Sequence, residues 1–127
     1  MSSARVLIAG ESKSGEGLAA SLGELGVAAR FEPADGLAGA FVDFERALED
    51  SRPEAAVAVG AGQSALTLGI TAAKLGIPLA RTAEEGEDPD RARILATLAD
   101  FDAGSPGRAA ELIAAWLRED PPPPDLD

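Results

Sequence analysis

Two short glycine-rich loops hold the residues with the widest chemical scope. The first reads Gly10-Glu11-Ser12-Lys13-Ser14-Gly15-Glu16-Gly17 and follows a short apolar run. Its glycine spacing matches a phosphate loop, but Glu16 stands where that motif needs lysine and Gly17 where it needs a magnesium-binding hydroxyl. ATP or GTP hydrolysis is therefore disfavoured. Anion binding survives, because backbone amides opening a helix, with Lys13 and the hydroxyls of Ser12 and Ser14 beside them, can receive a phosphate. The plain alternative is a strand-to-helix turn that needs glycine and capping serines.

The second loop, Gly60-Ala61-Gly62-Gln63-Ser64, also opens a helix and lacks bulk, so a ligand or another backbone can come close. Gln63 and Ser64 are its only side chains with chemistry. No base stands beside Ser64 in the sequence, so N-capping suits it better than nucleophilic attack. A third feature is the acidic run Glu84, Glu85, Glu87, Asp88 and Asp90. Buried carboxylates can serve as acids or bases, and clustered ones can hold a hard cation. The spacing matches no calcium-loop template, and a solvated loop accounts for it.

Alternating elements must position these loops. Residues 5–9 and 55–59 read as buried parallel strands, each closed by a glycine. A helix over 15–25 carries Leu18, Leu22 and Leu25 on one face and stops at Gly26. A strand over 27–31 follows, then a helix over 37–50 with Leu37, Phe41, Phe44 and Leu48 at helical spacing. The helix over 63–75 is apolar nearly all round, which predicts burial on more than one face, within the domain or against another subunit. Gly76 ends it, and 77–80 reads as the fourth strand, followed by a loop over 81–90. Residues 89–98 form a helix with Pro89 at its first position, and Phe101 lies on a short edge strand. A last helix over 105–119 is capped by Ser105, with Pro106 at its first position. The pattern predicts a three-layer α/β sandwich, a Rossmann-like parallel sheet of four to five strands with helices on both faces. It forms one domain over 1–119, and the acidic, proline-rich 120–127 is expected to be a disordered tail. In such sheets ligands sit beyond the strand C-termini where strand order reverses, which is where both glycine loops should meet. An open crevice there favours binding; one filled by side chains removes it.

Composition narrows the partners. Eleven Lys and Arg against 22 Asp and Glu give a formal charge of −11, which disfavours nucleic acid and anionic membrane surfaces. With neither cysteine nor histidine, disulfides, thiolate metal sites and histidine-based catalysis are excluded. The opening MSSARVLIAG is too short an apolar run for a signal segment or a membrane span, so a cytoplasmic location is expected.

The stretch PEAAVAVGAGQSALTLGITAAKLGIPLARTAEEGEDPDRARILATLADFDA resembles the N-terminal half of the non-hydrolysing UDP-N-acetylglucosamine 2-epimerases, as does the opening RVLIAGESKSGEGLAASLGELG. Gly60, Ser64, Gly76-Ile77-Pro78, Gly86, Arg93 and Ala99-Asp100 match the family's framework. The chemistry departs from it. Ala61 replaces the family's loop aspartate, Arg81 replaces the histidine after the fourth strand, the glutamate beyond it is displaced to Glu84 or Glu85, and the arginine after strand one is lost within ESKSGE. The family's C-terminal domain, which supplies most contacts to UDP, is expected to have no counterpart here.

The resemblance therefore implies a degenerate, non-catalytic or accessory domain acting as a homo-oligomer or with a separately encoded protein partner. The other reading is a module or split epimerase half that binds a nucleotide sugar or another phosphorylated small molecule. Residues expected at such a ligand are Gly10, Ser12, Lys13, Ser14, Gly15, Gly60, Gly62, Gln63, Ser64, Arg81, Glu84, Glu85 and Arg93. No catalytic residue, metal or cofactor is assigned; any remaining activity would be that of a 2-epimerase-like isomerase. A receiver-like regulatory domain fits less well, since Gly10, Glu11 and Gly60 do not supply the acidic pair and the aspartate that such domains need.

Overall fold

The computed structural model describes residues 5–10, 12–32, 44–50, 52–84, 86–104 and 108–119. Five strands form one sheet: β1 (Val6–Gly10), β2 (Ala29–Phe31), β3 (Ala55–Val59), β4 (Leu79–Thr82) and β5 (Phe101–Asp102). The helices are α1 (Ser12–Glu24), α2 (residues 44–50), α3 (Gln63–Leu75), α4 (Pro89–Leu98) and α5 (Ala109–Glu119). The sheet order is β2-β1-β3-β4-β5 with every neighbouring pair parallel, so strand order reverses between β1 and β3.

The pleat divides the core into two layers. Leu7, Ala9, Ala56, Ala58 and Leu79 pack with Phe44 and Leu48 of α2, Ala65, Leu68 and Ala72 of α3, and Leu95 of α4. Val6, Ile8, Val57, Val59 and Ala80 turn the other way, toward Leu18 and Leu22 of α1 and Ala109, Ile113 and Ala114 of α5. Small residues on the first face let α3 come close, and Gly69 lets α4 close on α3: a Cβ there would stand 2.7 Å from Leu95 Cδ2. The N-terminal ends of β1 and β3 are tied by Arg5, whose Nε and Nη2 donate to the two carboxylate oxygens of Glu54 at 2.7 Å each. At the far edge Asp100 accepts the Leu79 amide at 2.9 Å, and the Phe101 ring stacks on Trp116 at 5.2 Å.

Several boundaries differ from the sequence expectation, each for a local reason. Helix α1 starts at Ser12 because Gly15 admits the Phe31 ring, which would stand 2.5 Å from a Cβ there. Strand β2 starts only at Ala29, since the Val27 amide donates back to Leu22 O at 2.9 Å and closes the helix end. Likewise the Ile77 amide bonds to Ala72 O, with Gly76 left-handed at φ 74°, so β4 runs from Leu79 through Arg81 and Thr82. Leu25 leaves its expected face and is 44% exposed. Helix α3 is buried within the domain against both the sheet, through Ala65, Leu68 and Ala72, and α4, at Gly69, while Ile70 is 40% exposed; the buried Thr67 and Thr71 hydroxyls donate to the Gln63 and Thr67 carbonyls. Phe44 is fully buried within this one chain, so it offers nothing to a second subunit. Leu37, Phe41, the Ser105-Pro106 cap and the 120–127 tail lie outside the described residues.

Candidate functional site

The reversal of strand order places the β1–α1 and β3–α3 loops side by side at the C-terminal edge of the sheet. Gly10 ends β1 at φ 137°, and a Cβ on it would stand 2.1 Å from Val59 O, so no other residue lets β1 lie this close to β3. Gly60 follows β3 at φ 79°. Gly62 is the N-cap of α3 in extended conformation and supplies no side-chain cap, so Ser64 lies inside the first turn instead of capping it.

Glu84, from the loop after β4, reaches across this edge. Its Cγ would be 3.0 Å from a Cβ on Gly60, and its Oε1 accepts the Ser14 hydroxyl at 3.2 Å in the first turn of α1. A carboxylate of the chain itself thus lies over the end of β3, between the two helices expected to receive an anion. Its Oε2 is buried without a hydrogen-bond partner among the described residues.

Beneath the same loop sits Arg81, 5% exposed within β4. Its Nη2 donates to Glu87 Oε1 and Oε2 at 2.9 and 3.1 Å, and its Nη1 stands 3.7 Å from Asp102 Oδ2. Glu87 Oε1 also accepts the Glu84 amide at 3.1 Å. Arg81 therefore spends its charge on fixing the loop that aims Glu84. Asp88 caps α4 by accepting the Arg91 amide at 2.9 Å, and Pro89 takes the first position as expected.

The expected ligand residues thus divide. Gly10, Ser14, Gly60, Gly62 and Glu84 converge at the crevice. Ser12 opens α1, and Lys13 and Gln63 are exposed beside it, with Ser64 partly covered. Gly15 is buried under Phe31 and Arg81 under its own loop. Arg93 is exposed on α4, 3.9 Å from Asp90. Glu85 lies outside the described residues. Sequence reasoning missed Thr82, whose buried hydroxyl has no partner among the described residues, and the role of Glu87. The pairing of a strand-borne arginine with an acid six residues on was the available signal for Glu87.

Two cavities lie near this edge of the sheet. One of about 590 Å³ is lined by Gly60, Ala61, Gly62, Glu84, Glu87 and Arg91, and one of about 400 Å³ lies between α1 and α5. Among the described residues, no three acidic side chains gather where they could hold a metal ion, and no helix is long and apolar enough to cross a membrane.

This arrangement defines the chain as a Rossmann-like α/β domain. No protein-family model matches the sequence, and no curated protein does. Among solved structures, the UDP-GlcNAc 2-epimerase of Methanocaldococcus jannaschii matches with TM-score 0.65 and 14% identity over 91% of this chain and 42% of that one. The Neisseria meningitidis UDP-GlcNAc 2-epimerase, solved bound to UDP-GlcNAc, gives 0.62 and 13% over 92% and 43%. A response regulator protein from Burkholderia multivorans gives 0.54 and 19% over 94% and 98%. The chain spans about two fifths of the length of these epimerases and nearly all of the response regulator. At these identities the likeness is one of fold, shared by epimerase N-terminal halves and receiver domains.

Proposed function

We propose that this chain is a degenerate, non-catalytic domain of epimerase-like fold that works through self-association or a protein partner. The observation that carries the non-catalytic half is Glu84 over Gly60, bonded to Ser14: the strand-end crevice holds an anion of the protein's own. A phosphorylated ligand entering there meets a carboxylate, and the one arginine buried beneath is committed to Glu87. Ala61 and Arg81, standing where the resembling family has aspartate and histidine, agree with this reading. The associative half draws on Ile70 of α3 and Ile94 of α4, 40 and 46% exposed on the same side of the sheet. Light scattering at micromolar concentration tests it, with a mass above that of one chain expected. A clean monomer that captures no protein partner counts against it.

A second reading, a module that binds a nucleotide sugar or other phosphorylated small molecule, draws on the larger cavity. Arg91 lines it, and it opens on the N-terminus of α3, where Gly62 contributes no side chain. Such a module could require a separately encoded half to cover its ligand, as a split 2-epimerase would. Displacement of Glu84 by that ligand is its specific requirement.

A further inference from the structure

We propose that the outer face of α3, flanked by α4, is where a second copy of this chain docks, pairing α3 with its counterpart across a two-fold axis. The proposal rests on the self-association reading above and gives it a surface. A helix that lies on a sheet ordinarily turns polar side chains to water. Helix α3 buries Ala65, Leu68 and Ala72 against the sheet, yet its outer side carries Leu66, Ile70 and Ala73, with Ile77 just past the helix end. Ile70 and Ala73 are exposed, and Leu66 and Ile77 are partly so. Their spacing of four, three and four residues is that of a seam by which one helix packs against another. Beside this seam α4 presents the exposed Ile94 and closes on Gly69 through Leu95 and Leu98, so the two helices share one outer surface.

Two features select a second copy as the occupant. A helix bearing the same apolar seam matches this one, and a two-fold axis supplies it with no further component. Charge allows the approach here. Two chains of net charge −11 repel, but α3 holds no acidic residue and α4 holds only Asp90 of the chain's 22 acids. Lys74 is bridged to Glu45 at 3.0 Å and Arg93 lies 3.9 Å from Asp90, so most of the charge around the seam is balanced within each chain. Leu25, also exposed, belongs to the α1 side of the sheet and follows Glu24, which makes it a control.

The test is light scattering of the full chain across micromolar concentrations, with a reversible monomer–dimer equilibrium expected. Ile70→Glu places two carboxylates across the axis and should leave only monomer, with an amide spectrum like that of the parent. Ile70→Ala and Ile94→Ala should each weaken the dimer about tenfold. Leu25→Glu should leave it unchanged. A parent dimer that survives Ile70→Glu, or that Leu25→Glu breaks, overturns this surface while self-association stands. A parent chain that stays monomeric overturns both. Should Ile70→Glu unfold, the alanine variants decide, and a dimer as tight as the parent's in both overturns the proposal.

Discussion

Ser14 and Glu84, seventy residues apart in the chain, meet through a 3.2 Å hydrogen bond at the point where strand order reverses. The contact joins the first turn of α1 to the loop after β4 and passes over Gly60. In α/β sheets this is the position of a bound ligand. Here a carboxylate occupies it, and the Arg81–Glu87 pair holds the loop that delivers it.

Removing Glu87 should therefore cost more than removing Arg81. Glu87→Ala leaves the buried guanidinium only the longer contact to the half-exposed Asp102 at 3.7 Å, and a loss of about 3 kcal/mol in urea unfolding is expected. Arg81→Met removes the charge and keeps most of the volume, so a loss under about 1.5 kcal/mol is expected. Equal losses from the two variants would show that the pair is not desolvated.

Two glycine replacements should move stability in opposite directions. Gly69→Ala puts a Cβ 2.7 Å from Leu95 Cδ2 and should cost about 1 kcal/mol or more, despite alanine's better helix propensity. Gly17→Ala, in α1 with nothing within 4 Å of the added Cβ, should gain about 0.5–1 kcal/mol. Thermal unfolding of both chains in one buffer checks the signs.

The hydrogen-bonded Arg5 guanidinium holds the Glu54 carboxyl below its ordinary range, and Glu54 in turn raises Arg5. A carboxylate depressed on folding adds stability above its unfolded-state pKa, and that stability is lost as pH falls through the lower folded value. Because both side chains are more than a third exposed, the pair is screened, and Glu54→Gln should cost only about 0.5 kcal/mol at neutral pH. That cost should shrink in high salt and vanish in acid below the carboxylate range. A cost that persists in acid would assign it to packing.

Much of the fold was legible because its strongest signals are local. Residues 55–59, an unbroken apolar run closed by glycine, are β3, and the predicted bounds of α3 and α4 agree with those observed. Boundaries failed where a polar or turn residue is compensated from afar. Arg81 looked like the start of a loop, yet Glu87 allows it to lie in a strand. Ile77 looked like strand, yet its amide completes the end of α3. At the crevice, the two glycine loops were readable from spacing alone. That Glu84 would cross to Ser14 was not, since it depends on strand order and on the direction of one loop.

Ser14→Ala removes the donor that holds Glu84 Oε1 and should cost about 1 kcal/mol without disturbing the sheet. Glu84→Ala should clear the surface over Gly60. If the carboxylate is what keeps anions out, only the Glu84→Ala chain should show a phosphate-dependent rise in melting temperature. A rise of equal size in the parent chain would mean that Glu84 excludes nothing.

Calorimetric titration of UDP-GlcNAc, and then UDP, into the unaltered chain tests most directly whether Glu84 keeps anionic ligands out of the crevice. No saturable heat and no shift in melting temperature are expected, because Glu84 holds the position the ligand's charge would need. Stoichiometric heat accompanied by movement of the Ser14, Gly60 and Glu84 amides would contradict exclusion by Glu84 and establish a nucleotide-sugar site.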